Sequence, residues 1–164
     1  MGHVHMSNSL ADYHYDYSDS FATETATEDD LSPEQLARAV FEGAPRPARW
    51  FLLIGFRYGL GLRFGPHPSP EHVLGWAIID STPASITIES RSWYLTSRLL
   101  FQTEPARVTL STYVRYDKRI AAVLWPPVSI LHRQILPRLL RHAASHARNS
   151  TGSDREALSS RGAV

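Results

Sequence analysis

The stretch Pro126-Pro127-Val128-Ser129-Ile130-Leu131-His132-Arg133-Gln134-Ile135-Leu136-Pro137-Arg138-Leu139-Leu140-Arg141-His142-Ala143 decides how the chain is read. Val128, Leu131, Ile135, Leu136, Leu139, Leu140, Ala143 and Ala147 recur at steps of three and four. That is the helical period, so they share one apolar stripe. Arg133, Arg138, Arg141 and Arg148 fall mostly between them, on the wet side. Pro127 suits a first helical position, where its missing N–H costs nothing. Pro137 removes a backbone bond to residue 133 and predicts a bend there. A bent amphipathic helix of this kind suits a twisted sheet as its partner.

The residues before it supply such a sheet. Val73 to Ile79 reads as one strand, closed by a turn at Thr82-Pro83-Ala84. Ser85 to Arg91 alternates strictly, with Ile86 and Ile88 inward and Thr87 and Glu89 outward. Trp93 to Thr103 puts Leu95, Leu99 and Phe101 on one face and Arg98 and Gln102 on the other. After Glu104-Pro105-Ala106, Arg107 to Tyr116 turns Val108, Leu110, Thr112 and Val114 inward. Turns this short imply antiparallel neighbours, that is, a meander. Residues 119–125 read as the first turns of the last helix, with a further strand of the meander as the alternative.

Ahead of the meander, Ser18 to Thr25, centred on Phe21, forms a first strand. Ser32-Pro33-Glu34-Gln35 starts a helix: Ser32 caps, Pro33 takes the first position, and Gln35 completes a capping box. Leu36, Ala39 and Val40 form its apolar face, and Gly43 ends it. Pro45 and Pro47 break the chain, and Trp50 to Phe56 makes a second short helix that frays at Gly59 to Leu62. Gly55, Gly59 and Gly61 only superficially resemble a phosphate loop, since no strand precedes them and no Lys-Ser or Lys-Thr follows.

A length of 164 residues fits one domain, expected at 12–148, with a flexible segment at 1–11 and a disordered tail at 149–164. Hydrophobic residues make up 43%, enough for a core. Without cysteine there is no disulfide framework, thiolate chemistry or zinc–sulfur site. No apolar run approaches the roughly 20 residues of a membrane span. The start of the chain shows no basic region followed by an apolar one, so a cytoplasmic location is expected. His3 and His5 lack a carboxylate cluster in register, so no metal is expected. No cofactor is implied.

The net charge of +1 hides an uneven spread. Residues 1–34 hold eight Asp or Glu and no Lys or Arg, while residues 118–164 hold eight Lys or Arg against Asp154 and Glu156. The basic end can pair with the acidic one, or meet phosphate or anionic lipid. No nucleic-acid motif accompanies the charge, so a nucleic-acid partner is not expected.

Strand, two short helices, antiparallel meander and one long C-terminal helix is the order of the helix-grip fold. The chain resembles that superfamily, which includes the START lipid-transfer domains, the Bet v 1 allergens and the polyketide cyclases. It is more closely similar to a bacterial family of domains of unknown function. The matching stretches are Ala11-Asp12-Tyr13, Leu36 to Phe41, Leu74-Gly75-Trp76, Val108 to Thr112, and Trp125 with His132-Arg133 and Pro137 to Leu140. The resemblance implies an α+β fold, with a curved antiparallel sheet wrapped around the long C-terminal helix and two short helices between the first strand and the meander. It carries no catalytic residue over.

The space between sheet and helix is where a small hydrophobic ligand is expected. Trp76, Ile78, Trp93, Tyr94, Leu99, Phe101, Leu110 and Thr112 from the strands, with Leu131, His132 and Ile135 from the helix, are the candidate ligand-binding residues. A cyclase- or dehydratase-like enzyme in the same cavity is the alternative, with His132, Tyr94 and Thr112 converging on a substrate. A third reading has no ligand, and the basic face of the helix docks a protein or anionic lipid. Asp80 and Glu89 are a further carboxylate pair to examine, across a hairpin.

Overall fold

A computed structural model describes residues 14–25, 32–66 and 68–161. The expectations placed on Ala11-Asp12-Tyr13, on His3 and His5, and on the segment 1–11 lie outside them. The chain is α+β. Strand β1 (Tyr17–Glu24) is followed by helices α1 (Pro33–Phe41) and α2 (Arg46–Ile54) and a π-helical turn, Gly55–Gly59. Then come β2 (His72–Val73), β3 (Trp76–Ser81), β4 (Ser85–Arg91), β5 (Leu95–Glu104) and β6 (Arg107–Tyr116). The long helix α3 (Ala121–Arg161) closes the order. All six strands form one curved antiparallel sheet in the order β1-β6-β5-β4-β3-β2. The first strand therefore adjoins the last, and α1 and α3 pack together over one face.

Local chemistry explains most of these boundaries. The Ser32 hydroxyl accepts from the Gln35 N–H while the Gln35 side chain accepts from the Ser32 N–H, so the capping box is formed. Leu36, Ala37, Val40 and Phe41 are buried, whereas Ala39, expected on the apolar face, is only partly so. Arg38 ties α1 to the sheet edge, pairing with Glu34 at 2.9 Å and Glu42 at 3.1 Å and donating to the carbonyl oxygens of Ser69 and His72 at 3.2 Å. Phe101, Leu110, Ile86, Ile88 and Leu95 are fully covered and form the centre of the core.

The run Val73 to Ile79 is two strands, not one. The chain reverses at Leu74–Gly75, where both residues have positive φ (47° and 83°), and Val73 pairs with Trp76. That is the conformation of a primed hairpin turn. Gly75 fits because a Cβ there would stand 2.8 Å from Phe64 Cβ. Leu74 accepts an unfavourable φ because its side chain is buried and its N–H is held by Glu42 Oε1 at 3.2 Å. An otherwise apolar run partly conceals such a turn.

Two further differences concern the sheet. Trp93 lies in the turn before β5, where the Ser92 hydroxyl accepts from the N–H groups of Tyr94 and Leu95 at 3.3 Å and 3.1 Å. Thr87 and Glu89 do face outward, yet both are buried, and Glu89 is clamped by Arg91 at 2.6 Å and Arg98 at 2.7 Å. A bulge between Ile78 and Asp80 sets Asp80 opposite Thr87 and Ala77 opposite Glu89, so the two carboxylates do not form a pair.

Residues 121–125 belong to the helix, which begins at Ala121 after a turn at 119–120, through short-range bonds from Ala121, Ala122 and Val123 to Lys118, Arg119 and Ile120. Pro126, Pro127 and Pro137 all lie inside it, so Pro127 is not at its first position. The carbonyls that two adjacent prolines leave without partners belong to Ala122 and Val123, which are exposed residues open to water. Helical backbone continues to Arg161, into the stretch expected to be a tail. No proline follows Pro137, and Arg155, Glu156, Ala157 and Leu158 are good helix formers.

Candidate functional site

The sheet face under α3 does not meet the helices solidly. A hollow of about 200 Å³ lies between them. Its floor is Trp76 from β3 with Ser97 and Leu99 from β5. One side is Phe41 of α1, Leu52 of α2 and Gly55, Phe56 and Gly59 of the π-helical turn, followed by Leu60. The other is α3, through Trp125, Val128, Leu131, His132, Ile135 and Leu136. Apart from Ser97, His132 and two indole nitrogens, these side chains offer only carbon.

Geometry keeps this space open. The π-helical turn is wider than an α-turn. A Cβ added at Gly55 or Gly59 would meet nothing within 4 Å, so both glycines leave room at the wall. Tyr94 pins the same turn by donating its hydroxyl to the Gly59 carbonyl at 3.2 Å. Phe56 stands edge-on to Trp76 with ring centres 5.5 Å apart, and Phe41 edge-on to Phe101 at 5.9 Å.

Of the residues singled out from the sequence, Trp76, Leu99, Leu131, His132 and Ile135 line the hollow. Ile78, Trp93, Tyr94, Phe101, Leu110 and Thr112 lie outside its wall. Phe101 and Leu110 are packed into solid core, and Ile78 sits at the edge of that core. Trp93 is 54% exposed, stands edge-on to Tyr94, and has the Lys118 ammonium 5.0 Å from its ring centre. Its turn position, not its residue type, takes it away from the interior. Thr112 is fully buried and bonds a neighbouring side chain instead of facing the space.

That neighbour is His132, and around it stands a polar network that sequence reading missed. The β1–β6 ladder sets Asp19 directly opposite Thr112. His132 Nε2 lies 2.9 Å from Thr112 Oγ1, within hydrogen-bond reach, and 3.6 Å from Asp19 Oδ1, an ion-pair distance. The Tyr17 hydroxyl donates to Asp19 Oδ2 at 2.5 Å, and Arg133 Nε donates to the Tyr17 oxygen at 2.9 Å. Burial alone would raise the Asp19 pKa, but the hydrogen bonds from His132, Tyr17 and Thr112 and the attraction of His132 outweigh it and hold the carboxyl below its ordinary value of 3.8. Tyr17 is pushed up to about 12, by burial first and then by its bond to Asp19, with Arg133 opposing both. The missed signal was the alternation Tyr17, Asp19, Phe21, which puts an acid on the inward face of β1.

Among the described residues, no group of three His, Asp or Glu stands close enough together to hold a metal ion. No helix among them is long and apolar enough to cross a membrane. No protein-family model, curated protein or solved structure matches the chain, so function has to be read from the site's own geometry.

The lowered Asp19 pKa fixes a pH dependence. A carboxyl whose folded pKa is depressed stabilises the fold fully above its unfolded value, and that contribution is lost as pH falls through the folded value. Urea unfolding of wild type and Asp19→Asn is expected to show a wild-type advantage that is constant well above the ordinary carboxyl value of 3.8 and shrinks as pH falls below it. An advantage that stays undiminished at the acid end would show that the charge on Asp19 contributes nothing.

Proposed function

We propose that the chain is a small-molecule binding domain of the helix-grip kind, which holds a mainly apolar guest between its sheet and α3. The observation that carries this reading is the hollow itself, with its nearly all-carbon wall. An engineered apolar cavity of about 150 Å³ stays dry and takes benzene. A space of about 200 Å³ has room for a guest of one or two rings, or a short branched chain. Affinity would come from burying guest carbon, at about 25 cal/mol per Å² before ordering costs. The strand and helix order, with β1 beside β6 and α3 across the sheet, supports the same reading. Of the polar groups a cyclase-like reaction would draw on, only His132 lines the hollow, because Tyr94 is bonded to Gly59 and Thr112 to His132 itself.

A specific observation favours a second reading, in which the protein also docks on an anionic bilayer. Residues 43–70 contain Arg46, Arg49, Arg57 and Arg63 and no acid; residues 118–153 contain Lys118 and five arginines and no acid. These two segments flank the hollow, and they expose Trp50 (65%), Tyr58 (81%), Val123 and Ile130 to solvent. Exposed aromatics bordered by arginine fit a headgroup layer.

Thermal-shift measurement with acyl, isoprenoid and aromatic ring compounds tests the first reading. A true ligand at a hundredfold excess over its Kd is expected to raise Tm by about 5–10 °C. Val128→Trp, which fills the space, is expected to abolish that shift while far-UV circular dichroism stays unchanged. An undiminished shift in the variant would place the ligand elsewhere. For the second reading, co-sedimentation with phosphatidylcholine vesicles containing about one third phosphatidylglycerol is expected to fall about tenfold in Trp50→Ser/Tyr58→Ser. Equal sedimentation of wild type and variant, or none by wild type, contradicts docking.

A further inference from the structure

We infer that the guest is uncharged and carries an oxygen function, a hydroxyl or a carbonyl, which the Ser97 hydroxyl takes as its hydrogen-bond partner. The inference rests on the hollow being a ligand site and names the chemistry of what it holds. Among the described residues, Ser97 is the one hydroxyl-bearing side chain in the wall, and it is 2% exposed. It alternates with Leu95, Leu99 and Phe101 along β5, so it shares their inward face under the helices.

Buried hydroxyls elsewhere in the fold are put to use. Ser85 bonds Thr82, Ser90 donates to the Arg63 carbonyl, Thr96 donates to Asp117, Ser111 bonds Ser20, Thr112 bonds His132, and Ser129 donates to the Pro126 carbonyl. Among the described residues, only Thr87 and Ser97 bury a hydroxyl with no partner. Thr87 Oγ1 belongs to the outer face and is sealed in by its neighbours. Ser97 Oγ is not sealed in, and the space it opens on is the hollow. A buried hydroxyl without a partner is destabilising. Alanine would fill the same place between Leu95 and Leu99 without that cost, so the hydroxyl calls for a partner from outside the chain.

The charge of that partner follows from the rest of the wall. No Lys, Arg, Asp or Glu lines the hollow, and a buried unpaired charge is strongly disfavoured. A serine hydroxyl donates one hydrogen and accepts at two lone pairs, so it suits an alcohol, a phenol or a ketone. A pure hydrocarbon leaves it unpaired. His132 also lines the hollow, but its Nε2 is engaged with Thr112 at 2.9 Å. The β5–β6 register sets Leu99 opposite Thr112 and Ser97 opposite Val114, so Ser97 lies one inward step along from the Thr112–His132 contact. The oxygen of the guest therefore sits over β5 and β6, and its carbon frame extends towards Trp76 on β3 and the Phe56 ring packed against it.

The test uses indane, 1-indanol and 1-indanone, which share a carbon frame and differ in one oxygen. Isothermal titration compares the intact chain with its Ser97→Ala variant. The substitution is expected to weaken binding of at least one oxygenated probe about fivefold or more and to leave indane bound no more weakly. With no probe present, the variant is expected to melt no lower than wild type, because it removes an unpaired hydroxyl. A lower Tm would mean that the hydroxyl has a structural partner, and it overturns the inference. An equal change for all three probes, no change for any, or binding of indane alone by wild type overturns it too and leaves the hollow a binding site for hydrocarbon. Binding of none of the three overturns the inference and the ligand-site reading together.

Discussion

The antiparallel pairing of β1 with β6 holds the rest of the structure in place. It joins the first strand to the last across about ninety residues of chain, with Ser20 and Ser111 hydroxyls 2.7 Å apart on the outer face. On the inner face it sets Asp19 against Thr112 and Phe21 against Leu110. A slip of one residue would turn Asp19 outward and leave His132 against carbon. The register therefore fixes both the apolar floor beneath α3 and the polar contact that orients the helix.

Helix α3 has two jobs that conflict. Its later turns pack tightly, with Leu136, Leu140, Ala143 and Ala144 buried against the core. Its earlier turns stand off from the sheet, with Val128 and Ile135 only partly covered and Leu131 exposed at the rim. The prolines at 126 and 127 fall in the part that stands off. One polar contact ties that part to the sheet, where His132 reaches across to Thr112 and Asp19, while Ser129 Oγ donates within the helix to the Pro126 carbonyl at 2.8 Å. Breaking the His132 contact would remove the polar tie between this part of the helix and the sheet.

Much of this was legible in the sequence, for reasons that can be named. The capping box at Ser32, the alternation of Ile86 and Ile88, and the three-and-four spacing around Leu136 each rest on a local rule with one solution. What was hidden depends on contacts distant in sequence. The Leu74–Gly75 reversal is held by Glu42 and Phe64, and Gly75 is its one mark within an otherwise apolar run. Trp93 and Tyr94 are neighbours of the same type, yet a serine-capped turn exposes one and buries the other. At the site, His132 was visible as a flank of the helical stripe. Asp19 and Trp125 were not, because their relevance comes from the strand register and the start of the helix. Phe56, Gly55 and Gly59 entered through a π-helical turn that no periodicity announces.

The chemistry then follows from what the fold leaves unfilled. Side chains large enough to close the gap are present, but each is tied elsewhere: Tyr94 to Gly59, Phe101 against Phe41, Trp125 edge-on to Tyr17 at 5.3 Å. The most direct measurement is diffraction from crystals held under xenon, which enters dry apolar cavities of this size. The account predicts bound xenon between Phe56, Leu99, Trp125 and Ile135. Side-chain density from those same residues filling the space, with no xenon among them, would contradict it.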